Sequence, residues 1–162
     1  MSGERIWLFD TTLRDGAQTQ GVDFSVREKA TIAIELDRLG IDYVEGGWPG
    51  ANPTDDAFFA DPPKLGHARF TAFGMTRRPG RSAANDPGLT ALVNCGVDAV
   101  CLVGKAWDFH VDVALGVAPE ENVAMISDSI ARLCKKKKEA LFDAEHFFDG
   151  YKSDPDYALA CV

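Results

Sequence analysis

Positive charge is scarce in this 162-residue chain: 17 Lys and Arg stand against 25 Asp and Glu, a net charge of −8 at neutral pH. That balance argues against non-specific nucleic-acid binding, which draws on an excess of Lys and Arg. It leaves room for a small anionic substrate, which needs only a local cation. Long apolar runs are missing too. None approaches the ~18–20 residues needed to span a bilayer, and Ser2-Gly3-Glu4-Arg5 is not followed by the apolar core of a secretory signal. No membrane association is expected. The cysteines, Cys95, Cys101, Cys134 and Cys161, have no C-x-x-C spacing, and three lie in apolar surroundings. They read as free buried thiols of a reduced, cytoplasmic protein. No G-x-G-x-x-G motif follows the first apolar run, so a dinucleotide fingerprint is absent.

What is present is ordinary for a globular domain, with 46% apolar and 26% charged residues. The run Ile6-Trp7-Leu8-Phe9 reads as a buried strand. It stops in a polar cluster, Asp10 to Gln18, and α/β folds build active sites from such groups at strand C-termini. Ser25 and Glu28 predict a capping box for a helix over residues 26–39, ended by Gly40. A strand follows over 41–45, and Asn52-Pro53 opens a short helix to residue 59. Further strands are predicted over 69–74, 97–103 and 140–145, and helices over 87–94, 108–115 and 119–137. Asp154-Pro155 opens a last helix.

The chain therefore repeats a β-α pattern five times, at roughly 30-residue intervals. Short apolar strands suit a parallel sheet covered on both faces. An open doubly wound sheet and a closed eight-stranded barrel both produce this pattern. A barrel takes ~250 residues, so five units would be a part of one. Two unpaired strand edges would then remain, which implies a truncated domain or assembly with another copy.

Arg14 and Asp15 carry the first chemical signal. Adjacent residues on a strand point to opposite faces, whereas in a loop both can converge on a ligand. An Asp at the mouth of a parallel sheet suits Mg²⁺ or Mn²⁺, and the guanidinium suits a carboxylate or an enolate oxygen. The plainer reading is a surface ion pair beside a turn, and spacing alone does not choose between the two.

The string Asp10-Thr11-Thr12-Leu13-Arg14-Asp15-Gly16-Ala17-Gln18 resembles the opening signature of the metal-dependent Claisen-condensing synthases and related lyases. That superfamily holds 2-isopropylmalate, homocitrate and citramalate synthases and hydroxymethylglutaryl-CoA lyase. Val44 to Pro53, Phe73 to Arg78, Gly104 to Val111 and Phe142 to Tyr151 resemble the citramalate synthase branch. The resemblance implies a fold: α/β, a partial TIM barrel of about five βα units. Residues 1–162 would be the N-terminal portion of a pyruvate carboxyltransferase-type catalytic domain. It implies a reaction, condensation of acetyl-CoA with a 2-keto acid. Pyruvate is favoured, giving citramalate on the way to isoleucine or leucine. It also implies a divalent metal (Mg²⁺ or Mn²⁺, with Zn²⁺ open) and a homodimer in the full-length protein.

Residue by residue, the resemblance makes Asp15 a metal ligand and catalytic, and makes Arg14 the stabiliser of negative oxygen. Gln18, Glu45 and His110 would contact substrate. Glu145 would assist proton transfer, with a raised pKa expected from crowding by other acids. His67 and His146 read as structural or surface residues, and Arg77 and Arg78 as weak candidates for phosphate contact. Lys135 to Lys138 reads as a solvated run that suits a helix C-terminus.

The family completes its metal site with a His-x-His pair on the seventh strand, and none of the three histidines here has that spacing. The catalytic histidine supplied from beyond the barrel and the regulatory domain of many members have no counterpart either. The expectation is that these residues do not catalyse the condensation alone. A retro-aldol or retro-Claisen lyase of the same superfamily and a non-catalytic, dimerising half barrel are the alternatives.

Overall fold

Residues 4–162 are described by a computed structural model. They form two compact units, one of residues up to Phe73 with Cys95–Ala99, the other of Gly74–Asn94 with Val100–Val162. The five strands found among the described residues follow one another in the sheet in chain order. They are β1 (Phe9–Asp10), β2 (Tyr43–Gly47), β3 (Arg69–Met75), β4 (Ala99–Lys105) and β5 (Glu139–Glu145). The β1–β2 and β2–β3 pairs are parallel.

In the first unit, α1 (Val26–Leu39) is built as its sequence predicts. Ser25 Oγ accepts from Glu28 N, the Glu28 carboxylate accepts from Ser25 N at 2.8 Å, and Gly40 ends the helix in the left-handed region. Asn52 caps α2 (Pro53–Ala60) through Asp55 N at 2.8 Å. Leu13, Ala33, Val44 and Phe58 are fully buried at the centre of this unit.

The opening run differs from its expectation. Only Phe9 and Asp10 are strand, and Ile6 is 83% exposed, with Trp7 and Leu8 about half exposed. β1 lies at the end of the sheet order, so its backbone is served from one side only. The Leu8 carbonyl accepts from Asp42 N and Tyr43 N at 3.0 Å, and Trp7 and Phe9 lie against the Tyr43 ring. An edge strand keeps its partner's hydrogen bonds without gaining cover.

Asp37, near the end of α1, ties down the approach to β3. Its carboxylate accepts N–H groups from Gly66, His67 and Ala68 at 2.8, 2.8 and 2.6 Å. The Ala68 amide, followed by that of Gly66, holds the carboxyl below the usual carboxylate range. A lowered folded-state pKa contributes stability that is present above the unfolded value, about 4, and is lost as pH falls through the folded value. Asp37→Asn is therefore expected to weaken the chain at pH 7, with a difference from the parent that closes below pH ~4. Urea midpoints at the two pH values check this; a pH-independent difference would sink it.

In the second unit, α3 (Pro87–Asn94), α5 (Pro119–Lys135) and α7 (Pro155–Ala160) lie close to their predicted positions. The predicted helix over 108–115 is α4 (Asp108–His110) continued by a π-helical turn, Val111–Leu115. α6 (Phe147–Ser153) was not foreseen, because Gly150 stands in its middle. The glycine has a packing reason: a Cβ there would lie 2.1 Å from the Ala106 carbonyl oxygen. Arg77 is buried, donating to Glu121 and Asp128 at 2.8 Å, while its backbone N–H donates to Ser129 Oγ. Its guanidinium clamps α5 rather than facing solvent. Among the described residues the cysteines form no disulfide; Cys134 is exposed and Cys95 only half-buried, so the buried-thiol reading holds for Cys101 and Cys161. Among the described residues no helix is long and apolar enough to cross a membrane.

Candidate functional site

The loop after β1 is folded around one carbonyl. Thr11 O accepts the N–H groups of Arg14, Asp15 and Gly16 at 2.9–3.1 Å, and Leu13 is driven fully into the core. The Asp10 carboxylate takes the Thr12 N–H and hydroxyl. This tight turn presents Arg14 and Asp15 from the same short stretch, and they pair with each other: Arg14 Nη1 donates to Asp15 Oδ1 at 3.1 Å.

Arg14 is fixed on two further sides. Its Nε donates to Glu45 Oε2 at 2.7 Å, and its guanidinium carbon stands 3.9 Å from the Phe73 ring centroid. Trp48 meets the same ring edge-on, centroids 5.6 Å apart. Glu45 is 1% exposed in the middle of β2, which runs two residues past the strand end expected from sequence, so it grips Arg14 from inside the protein. The Arg14 Nη2 amino group has no hydrogen-bond partner among the described residues. Gln18 lies with Arg14 on the wall of a cavity of about 230 Å³, shared with Asp23, Lys29, Trp48 and Asn52.

Lys29 and Asp55 were not foreseen. Both are buried, the ammonium donates to the Asp55 carboxylate, and Lys29 Nζ also reaches Gly46 O at 3.0 Å. Asp55 Oδ2 accepts from Trp48 N and Asn52 Nδ2, each at 2.9 Å. Gly47 has φ +147, and a Cβ on it would lie 2.5 Å from this carboxylate. The Gly46-Gly47-Trp48 backbone thus wraps a buried ion pair, directly after Glu45. The available signal was periodicity: Lys29 stands four residues before fully buried Ala33, on the inward stripe of α1.

In the second unit a separate cluster gathers at the ends of β4 and β5. Lys105 Nζ donates to Glu145 Oε2. The expectation of crowding by acids is thereby corrected, since the group in contact with Glu145 is a cation. His110 sits in α4 with its ring 4.7 Å from Trp107 and 4.5 Å from His146, the latter edge-on. Its Nδ1 is buried without a hydrogen-bond partner. His146, read from sequence as structural or surface, belongs to this ring cluster; it has φ +57, and its Nδ1 is 3.3 Å from Asp149 Oδ2.

The donors for a divalent metal are incomplete. Asp15 is one exposed carboxylate, and one of its oxygens already faces Arg14. Among the described residues no three His, Cys, Asp or Glu gather as a metal site. Asp15 therefore supplies a single protein ligand, and the rest of a Mg²⁺ or Mn²⁺ shell would have to come from substrate oxygens, waters or other protein groups.

The sequence pattern of the HMGL-like family matches residues 5–161. An (R)-citramalate synthase of Aquifex aeolicus is 49% identical over 96% of this chain and 30% of that protein. One of a Synechocystis species is 50% identical over 97% of this chain and 29% of that protein. The chain thus spans about 30% of the length of these curated relatives. The HMG-CoA lyase of Brucella melitensis superposes with a TM-score of 0.66 at 13% identity, over 86% of this chain and 48% of that one. That likeness shows the fold to be α/β, a partial TIM barrel.

Proposed function

This chain belongs to the HMGL-like family, and we propose that it is the N-terminal part of the catalytic domain of a citramalate-synthase-type acyltransferase. The longer protein condenses acetyl-CoA with a 2-keto acid, pyruvate in this reading, in the cytoplasm, as a homodimer serving branched-chain amino-acid synthesis. The observation that carries the reading is the mounting of Arg14. Glu45 and Asp15 occupy its Nε and one Nη1 direction, Phe73 covers one face, and Nη2 is left to a ligand. A guanidinium held that way matches a carboxylate or a developing oxyanion. The identities with two (R)-citramalate synthases support the choice of substrates.

In this reading the acetyl-CoA methyl loses a proton with the assistance of Glu145, and the C–H electron pair becomes the enolate. The enolate carbon forms a bond to the keto carbon, whose oxygen gathers negative charge beside Arg14. The alkoxide takes up the proton that the methyl lost; water then gives its hydroxyl to the thioester carbonyl and a proton to the sulfur, and coenzyme A leaves as the thiol. Gln18, on the cavity wall beside Arg14, orients the keto acid, and Glu45 keeps Arg14 in place. A divalent ion, Mg²⁺ or Mn²⁺ with Zn²⁺ open, would polarise the keto acid in the longer protein. Asp15 would be one of its ligands, and these residues do not complete its site.

Free coenzyme A thiol reports the reaction, with acetyl-CoA, pyruvate and Mn²⁺ supplied to this chain and to the product of its gene read beyond Val162. Release is expected from the longer product alone. Sustained release by residues 1–162, or none from the longer product, overturns the reading.

A further inference from the structure

β4 is apolar for five residues, Ala99 to Val103, and after Gly104 it ends on a lone cation, Lys105. Core packing does not call for a lysine there. Its ammonium donates to Glu145 Oε2 at the end of β5, and the two side chains are 19% and 34% exposed. The backbone beneath the pair is held by side chains from two helices. The Lys105 carbonyl accepts from Asn122 Nδ2 of α5 at 2.7 Å and from the Cys161 thiol, just past α7, at 3.8 Å. Asn122 is fully buried, and its amide also donates to the Tyr157 hydroxyl at 2.7 Å. One residue further on, Ala106 N donates to the Glu145 carbonyl at 3.1 Å. The strand ends carrying the cation and the carboxylate are therefore fixed to each other by their own backbone.

From this arrangement we propose that Lys105 is a positioning residue that acts through Glu145, holding its carboxylate aimed at the methyl group whose proton is removed. The proposal rests on the condensation reading above. A carboxylate that assists a proton transfer must lie within hydrogen-bond reach of the proton it meets, and an ion pair to an anchored strand end fixes where its oxygens point. Lys105 supplies that fixed point, because the carbonyl of its own strand end is anchored. Arginine would retain the charge, whereas glutamine would retain only a hydrogen bond.

A double-mutant cycle in the longer, condensing protein tests this. Lys105→Gln is expected to lower kcat roughly tenfold to a hundredfold, within the 10²–10⁴ that a positioned base supplies, with KM for pyruvate little changed. Lys105→Arg should restore most of the rate. In a Glu145→Gln background, Lys105→Gln should have no further effect. An undiminished loss in that background overturns the proposal, as does a Lys105→Gln enzyme with unaltered kcat. The same cycle read by urea unfolding of residues 1–162 separates the two readings. Coupling of the pair there, with no condensation by the longer protein, dismisses the reaction and leaves the ion pair; additivity dismisses the pair itself.

Discussion

Asp55→Ala is expected to lower the unfolding free energy of this chain by about 3–5 kcal/mol, the usual loss when one member of a buried ion pair is removed. Lys29 is 4% exposed, and after the substitution its ammonium would retain only the Gly46 carbonyl. Trp48 N and Asn52 Nδ2 would lose their acceptor in the same step. The damage should reach the site, because the backbone that wraps this carboxylate begins one residue after Glu45, which holds Arg14. Asp55→Asn should be milder, since an amide oxygen still accepts. Replacing both partners, Lys29→Met with Asp55→Leu, should recover part of the loss, because no charge is then buried alone. Urea denaturation of the three variants checks the order. A loss below about 1 kcal/mol for Asp55→Ala would show that water reaches the ammonium.

Arg14→Lys should reduce condensation by the longer protein about 10²–10³-fold, the effect of removing one oxyanion donor, although the charge is kept. A lysine is a point charge with three donors on a flexible stem. It cannot keep the Glu45 contact from Nε, lie flat on Phe73 and extend a free Nη2 at the same time. The loss should fall mainly on kcat if the interaction tightens as the keto oxygen becomes an alkoxide, and on KM if Arg14 binds only the ground state. Thiol release at saturating pyruvate distinguishes the two. A variant within twofold of the parent would remove Arg14 from the chemistry.

How much could be read in advance depended on distance along the chain. The Ser25–Glu28 box, Gly40 and Asn52-Pro53 act within a few residues, and each lies where its local chemistry puts it. Lys29 resembles a solvated lysine beside Glu28 until Asp55, 26 residues later, comes to lie against it. Arg77 looks like a loop cation until Glu121 and Asp128 arrive from α5. α6 is hidden by Gly150, whose partner is the Ala106 backbone 44 residues earlier. Ile6 to Leu8 fails the other way: the run is apolar enough for an interior strand, but an edge strand has nothing to cover it. For the site, Arg14, Asp15, Glu45 and Glu145 could be named by resemblance. Their partners Phe73 and Lys105 could not, because a stacked face or a cross-strand contact has no signature within one segment.

The Ala106 peptide is held at both ends. Its N–H is bonded to the Glu145 carbonyl, and its oxygen fills the space that only a glycine at 150 leaves open. α6 begins two residues after Glu145, so strand, helix and peptide make a closed loop of short links. The strand ends that carry Lys105 and Glu145 are thereby kept side by side. A backbone fluctuation that separates those ends has to lift α6 as well, so opening of the sheet here is coupled to undocking of a helix.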